Sequence, residues 1–222
     1  TEVHVWRWTT TGALTCLTLT PGVHTAVSGG PACVVGSATL EHDGTRWALG
    51  DHVFGSHAQA PIIRPAVQML TVGERALRVG LLLPGDHQRG TRLPVLMDPY
   101  GGPHFQRVLA ARSYWLESQW LADQGFAVIV ADGRGTPGRG RAWARAVRGD
   151  LAGPALEDQI DALGEVAAVH PDLDLTRVAI RGWSFGGYLA ALAVLRRPDV
   201  FHAGVAGAPV TEWRLYDTHY TE

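Results

Sequence analysis

The chain has 222 residues, of which 46% are hydrophobic and 18% charged, and its formal net charge is −2. This composition is that of a globular protein with a sizeable core and excludes a disordered chain. The small net charge, without a basic stripe, excludes nucleic acid as an implied partner. The longest apolar runs are too short for a membrane-spanning segment.

Short strands joined by turns are predicted for residues 1–60, because apolar and polar residues alternate between turn signals. The predicted strands are Val3–Thr9, Leu14–Leu19, Ala32–Leu40 and Thr45–Leu49. Strands of this length without a helix favour a β-propeller blade or the edge of a sandwich. Since one blade cannot bury both its faces, we expect residues 1–60 to be the C-terminal part of a larger array, or to pack against a further segment. Cys16 and Cys33 are expected to be free thiols, and a disulfide is left open.

Strands alternate with helices over residues 61–222, after a proline-containing linker. The predicted strands are Gln68–Thr71, Leu77–Leu83, Leu93–Asp98, Ala127–Ala131, Val178–Arg181 and Ala203–Ala206. The predicted helices are Ser113–Gln124, Leu156–Val169 and Phe185–Leu195. This alternation predicts an α/β domain with a mostly parallel sheet and helices on both faces.

A nucleophile motif, Gly182-Trp-Ser184-Phe-Gly186, lies between a predicted strand and a predicted helix. A serine hydroxyl is a weak nucleophile, and a sharp strand-to-helix turn exposes it to substrate and base. We expect a strained backbone at Ser184. Glycine is needed at 182 and 186, because side chains there would strike the neighbouring strand or helix. The N–H of Phe185 is the expected first oxyanion donor. The pattern predicts the nucleophile elbow of an α/β-hydrolase.

A second oxyanion element is expected in the loop after an earlier strand. The strand Leu93–Asp98 runs into a glycine-rich loop that contains Tyr100, whose hydroxyl could donate to an oxyanion. From the residues alone, a tyrosine beside a turn is more often structural than catalytic. Both interpretations stay open at this point.

Several segments together resemble the prolyl oligopeptidase family of serine peptidases, with the dipeptidyl peptidase IV branch the nearest. The resemblance covers about residues 67–222. It rests on Asp98-Pro-Tyr-Gly-Gly-Pro103, Asp132-Gly-Arg-Gly-Thr136, Leu156-Glu-Asp-Gln-Ile160, Gly182-Trp-Ser-Phe-Gly-Gly-Tyr188, Ala208-Pro-Val-Thr-Glu-Trp213 and Tyr216-Asp-Thr-His-Tyr-Thr-Glu222. It implies an α/β-hydrolase domain that follows a β-propeller.

The resemblance also implies roles for individual residues. Ser184 matches the nucleophile, and Tyr100 matches the tyrosine that completes the oxyanion hole. Phe185 stands where this branch usually carries a tyrosine, so only its backbone N–H role carries over. The pocket for the P1 side chain, suited to proline or alanine, is implied at Val210, Trp213, Tyr216 and Tyr220. Taken alone, Tyr216 and Tyr220 would share one face of a helix, and a core aromatic pair is an equally open interpretation.

The acid and base of the triad are not recognised in the sequence. α/β-Hydrolases place an acid and then a histidine after the serine. Asp199 and His202 follow the helix at its far end, and Asp217 and His219 are two apart on a predicted helix and cannot face each other. We therefore expect a fragment truncated before its acid and base, and residues 1–222 alone should be nearly inactive.

The sequence thus predicts a serine peptidase that releases N-terminal dipeptides with Pro or Ala at P1. An acylaminoacyl peptidase, an oligopeptidase or a carboxylesterase on the same fold is the alternative, and a non-catalytic binding relative is the second. A peptide is the expected partner, a homodimer is an open assembly, and no metal or other cofactor is needed for this chemistry. The cytoplasm is slightly favoured as location, although any export signal would precede Thr1.

Overall fold

The structure is a computed structural model, and it describes residues 1–218. The chain divides into two units. The first comprises Thr1–Pro65 with Leu109–Glu117, and the second comprises Ala66–Val108 with the chain from Ser118 onward. No pattern in the sequence indicates that Leu109–Glu117 joins the first unit.

The first unit is built on antiparallel strands. Strands β1 (Trp6–Trp8) and β2 (Leu14–Cys16) form a hairpin. A four-stranded meander follows, in the order β3 (Val23–Gly29), β4 (Ala32–Ala38), β5 (Thr45–Leu49) and β6 (His52–Val53). Strand β3 was not predicted from the sequence, because a polar residue, His24, takes a buried position in it. The ring nitrogens of His24 lie 2.8 Å from Ser37 Oγ and 2.9 Å from the Thr20 carbonyl oxygen, which makes that burial tolerable.

Leu109–Glu117 is held in the first unit by hydrogen bonds to the β4–β5 connection. It contains a 3-10 helix, Arg112–Trp115. The Arg112 N–H donates to the Thr39 carbonyl at 2.9 Å, and its guanidinium donates to the Leu40 carbonyl and to Asp43. Cys16 and Cys33 are both free thiols, as the sequence led us to expect.

The second unit contains a six-stranded sheet. Its strands are β7 (Gln68–Val72), β8 (Leu77–Leu82), β9 (Leu93–Met97), β10 (Ala127–Asp132), β11 (Leu173–Trp183) and β12 (Ala203–Gly207). The spatial order is β12-β11-β9-β10-β8-β7. The first four strands in this order are parallel, and β8 and β7 add an antiparallel edge. The mostly parallel sheet predicted from the sequence is confirmed.

Helices cover both faces of this sheet. They are α1 (Leu116–Ala122), α2 (Arg141–Ala144), α3 (Gly153–Val169) and α4 (Phe185–Arg196). Ile129 of the central strand β10 belongs to one buried cluster with Val166 of α3 and Leu189 of α4. On the opposite face, Ser118 of α1 donates a hydrogen bond to Asp98. Among the described residues, no helix combines the length and the apolar character needed to cross a bilayer.

Candidate active site

Ser184 occupies the sharp turn between β11 and α4. Its backbone has φ 58° and ψ −116°, a conformation that a residue other than glycine rarely adopts. The turn is held on both sides, because the Ser184 N–H donates to the Gly207 carbonyl and the Tyr188 N–H donates to the Ser184 carbonyl, each at 3.0 Å. Its side chain is neither fully buried nor fully exposed. The strained turn predicted at Ser184 is confirmed.

Glycines make this turn sterically possible. A Cβ on Gly182 would lie 2.3 Å from the backbone of Gly186, and one on Gly186 would lie 2.6 Å from the Pro99 carbonyl oxygen. A Cβ on Gly187 would lie 2.3 Å from the Gly207 carbonyl oxygen. Such distances are far below van der Waals contact, so the predicted need for glycine at 182 and 186 is confirmed.

The loop that carries Tyr100 packs directly on helix α4. Gly101 has φ +70°, and a Cβ on it would lie 2.6 Å from Leu189. A Cβ on Gly102 would lie 2.3 Å from the Phe185 ring. The Tyr100 ring centroid is 5.9 Å from that of Phe185. The loop thus places Tyr100 beside the helix that begins immediately after Ser184.

Aromatic rings continue from Phe185 toward the predicted P1 residues. The Trp213 ring lies 5.8 Å from Phe185 and 6.0 Å from Tyr216, between ring centroids. Val210 is partly buried, and Tyr216 is 42% exposed. Tyr216 has extended backbone (φ −85°, ψ 172°) after the 3-10 helix Trp213–Leu215, so it does not lie in the helix that the sequence suggested. Tyr220 lies outside the described residues.

A cavity of about 930 Å³ adjoins this aromatic group. Trp213 and Tyr188 contribute to its wall. Arg145, Arg148 and Arg196 also line it, which gives the wall a cationic part. The aromatic motif by itself did not indicate these arginines.

Two buried carboxylates in the second unit are satisfied by neighbouring donors, and no role was predicted for them from the sequence. Asp132 ends β10 and accepts the backbone N–H groups of Arg107 and Val108 at 2.8–3.1 Å. Burial raises the pKa of Asp132 above its ordinary value, and these N–H groups act in the opposite direction. Asp158 of α3 is fully buried and accepts hydrogen bonds from the Arg134 guanidinium. A carboxylate at the end of an apolar strand is the sequence signal that could have found Asp132.

The histidine and acid considered as local substitutes for the triad lie far from Ser184. His202 Nδ1 accepts the Val178 N–H at 3.1 Å. Val178 precedes Ser184 by six residues on β11, a separation of roughly 20 Å along a strand. Asp199 is paired with Arg197 at 2.6 Å. The expectation that Asp199 and His202 lie beyond the far end of the helix is confirmed, and His219 lies outside the described residues.

A serine at a strained strand-to-helix turn, over a mostly parallel sheet with helices on both faces, defines the second unit as an α/β-hydrolase. Sequence comparison agrees with this class, because the model of the prolyl oligopeptidase family matches residues 112–222. The chain belongs to the prolyl oligopeptidase family of serine peptidases. The resemblance found in the sequence motifs is therefore confirmed.

Similar proteins include dipeptidyl peptidase 8 of Mus musculus, 39% identical over 146 residues, or 64% of this chain and 16% of the relative. Prolyl endopeptidase FAP of Homo sapiens is 35% identical over 156 residues, 70% of this chain and 20% of the relative. The solved structure of dipeptidyl peptidase 4 from Porphyromonas gingivalis matches with a TM-score of 0.83 and 28% identity, over 98% of this chain and 33% of that chain. The chain therefore spans a fifth or less of the length of these two curated relatives.

Proposed function

We propose that the full-length protein is a serine peptidase of the dipeptidyl aminopeptidase type, which releases N-terminal dipeptides with Pro or Ala at P1. The observation that carries the proposal is the strained turn at Ser184, against which Gly101 and Gly102 allow the Tyr100 loop to pack. The similarity to dipeptidyl peptidase 8 and to probable dipeptidyl-aminopeptidase B of Paracoccidioides lutzii supports this branch.

The proposed reaction is acyl transfer through Ser184. Its Oγ bonds to the scissile carbonyl carbon while a general base takes the hydroxyl proton. The Phe185 N–H and the Tyr100 hydroxyl donate hydrogen bonds to the oxyanion of the tetrahedral intermediate. The C–N bond then breaks, and the base returns the proton to the leaving amine. Water hydrolyses the acyl-enzyme by the same route and releases the dipeptide.

The base and the acid of the proposed mechanism are expected beyond residue 222. His202 binds the backbone of Val178 in the middle of β11, and Asp199 pairs with Arg197 at the far end of α4, so neither can serve Ser184. The near-inactivity of residues 1–222 alone stays a prediction. It would be contradicted by turnover of this chain near that of the full-length protein.

Substrate selection is proposed at two places. Val210, Trp213, Tyr216 and Tyr220 would form the P1 pocket, and the ring contacts of Trp213 with Phe185 and Tyr216 support this assignment. Residues 1–60 would be the last part of a β-propeller, for which the antiparallel meander β3–β6 is suitable. The resemblance to the dipeptidyl peptidase IV branch implies that acidic residues bind the free amine of the substrate, and these residues would belong to the preceding part of that propeller. A homodimer stays a prediction.

The proposal is tested with Gly-Pro para-nitroanilide and its N-acetylated form, using the full-length protein. We expect hydrolysis of the free-amine substrate only, labelling of Ser184 by a fluorophosphonate, and loss of both in Ser184→Ala. Equal cleavage of the acetylated substrate would instead support an endopeptidase or acylaminoacyl peptidase, an alternative favoured by the similarity to prolyl endopeptidase FAP. Absence of labelling would support a non-catalytic relative.

A further inference from the structure

A buried carboxylate, Asp98, connects three segments beneath the candidate active site. It is 1% exposed and lies directly after β9, two residues before Tyr100. Its Oδ1 accepts a hydrogen bond from Arg181 Nε at 2.9 Å. Its Oδ2 accepts from Arg107 Nη2 at 3.0 Å and from Ser118 Oγ at 3.2 Å. Both carboxylate oxygens are therefore held by charge-assisted hydrogen bonds.

The Arg181 contact lies where β9 and β11 separate. Leu96 pairs with Ala179 and Met97 with Ile180, and Asp98 and Arg181 come one residue further along each strand. Beyond this point one chain continues to Tyr100 and the other to Ser184. The Asp98–Arg181 ion pair therefore keeps β9 and β11 in register at the point where the segments to Tyr100 and to Ser184 begin.

The Arg107 contact closes the loop on itself. Asp98 and Arg107 flank the loop of residues 99–106, which includes Tyr100, and their ion pair joins its two ends. The Arg107 N–H in turn donates to Asp132 at the end of β10. Asp98 is thus bound to Arg181 of β11, the strand that leads to Ser184, and to Arg107 at the C-terminal end of the Tyr100 loop.

From these contacts, and resting on the proposed function, we propose that Asp98 is a positioning residue for the oxyanion hole. It sets the position of the Tyr100 hydroxyl relative to the oxyanion formed at Ser184. A displacement of about 1 Å in such a site can cost on the order of 10²-fold in rate. Asp98 does not touch substrate, so its loss should lower kcat more than it changes KM.

The test is a double-mutant cycle in the full-length protein, assayed with Gly-Pro para-nitroanilide. The variants are Asp98→Asn, Tyr100→Phe and the double variant. We expect Asp98→Asn to lower kcat by about 10- to 100-fold with KM within about threefold, because an oxyanion donor is displaced. If Asp98 acts through Tyr100, the double variant should be no worse than Tyr100→Phe by more than about threefold.

Asp158→Asn is the matched control, because Asp158 is also a fully buried carboxylate paired with an arginine, Arg134. We expect it to lower the Tm while kcat stays within about twofold of wild type. If Asp98→Asn does not fold, Arg181→Gln replaces it. In that variant Asp98 keeps Arg107 and Ser118 but loses its link to the Ser184 strand, and the same fall in kcat is expected.

Each of three results would overturn the assignment. The first is a wild-type kcat in both Asp98→Asn and Arg181→Gln while Tyr100→Phe is impaired. The second is losses of kcat that multiply in the double variant, and the third is an equal loss of kcat in Asp158→Asn. Failure of the proposed function is distinguishable. In that case wild-type protein would not be labelled at Ser184, or Tyr100→Phe would have wild-type kcat, and the positioning role would be overturned with it.

Discussion

Gly186→Ala should separate the nucleophile turn from the Tyr100 loop. The new Cβ would lie 2.6 Å from the Pro99 carbonyl oxygen and 3.4 Å from the Tyr100 Cα. Since carbon–oxygen contacts are normally about 3.3–3.6 Å, the two backbones must separate by about 0.7–1.0 Å. The clash cannot be relieved by a side-chain rotation, because it is between the first turn of α4 and the backbone carbonyl of Pro99.

This separation sets the expected magnitude of the effect. A shift of about 1 Å between Ser184 and Tyr100 corresponds to on the order of 10²-fold in kcat. That loss equals about 2.7 kcal/mol of transition-state stabilisation. Overpacking should also lower the free energy of unfolding by about 1–3 kcal/mol. Steady-state kinetics with Gly-Pro para-nitroanilide and thermal unfolding of the full-length protein measure the two effects.

Gly164→Ala is the matched control for this prediction. Gly164 lies inside α3, and a Cβ there would meet nothing within 4 Å. An alanine in a helix interior is more stable than glycine by about 0.5–1 kcal/mol, so this variant should have wild-type kcat and a slightly raised Tm. A Gly186→Ala variant with kcat within about threefold of wild type and an unchanged Tm would refute the steric reasoning.

Three further predictions concern single side chains. Phe185→Ala should lower the free energy of unfolding by about 3–5 kcal/mol, because the ring is 1% exposed and in contact with other rings; a loss below about 1 kcal/mol in chemical denaturation would contradict this. Trp213→Ala should raise KM for Gly-Pro para-nitroanilide by about tenfold or more, and an unchanged KM would remove Trp213 from the P1 pocket. Asp174 accepts hydrogen bonds from Thr176 and Arg177, which lower its pKa to about 2. Because the pKa of Asp174 is lower in the folded state, its ionised carboxylate stabilises the fold at pH values above the unfolded-state pKa of 3.8. This stabilisation is lost as the pH falls toward 2. Asp174→Asn should therefore be less stable than wild type at neutral pH, with the difference vanishing near pH 2, and a difference independent of pH would contradict the assignment.

Most elements of the second unit could be predicted from local sequence. The alternation of apolar strands with amphipathic helices is a short-range pattern, and the β7–β8 hairpin and helices α3 and α4 lie where it indicates. The strained turn at Ser184 was equally predictable, because glycines at 182 and 186 report a local steric requirement. Strand β11 was predicted too short, because its first residues, Leu173 and Asp174, pair with β9 before a shift in register.

Other features depend on contacts between distant parts of the chain. His24 lies in a strand only because Ser37 and Thr20 satisfy its ring nitrogens. No local sequence pattern in Leu109–Glu117 predicts that Arg112 binds the β4–β5 connection. The cationic wall formed by Arg145, Arg148 and Arg196 also arises because two segments far apart in the sequence, residues 145–148 and helix α4, line one cavity.

The sequence by itself determined the class of chemistry, because a nucleophile turn requires particular residues at adjacent positions and these can be read in order along the chain. Tertiary structure alone decided what supports that turn. Asp98 and Arg181 are 83 residues apart, and their ion pair exists only because β9 and β11 are neighbours in the sheet. A buried charge needs a partner, but a sequence pattern does not say which distant residue provides it.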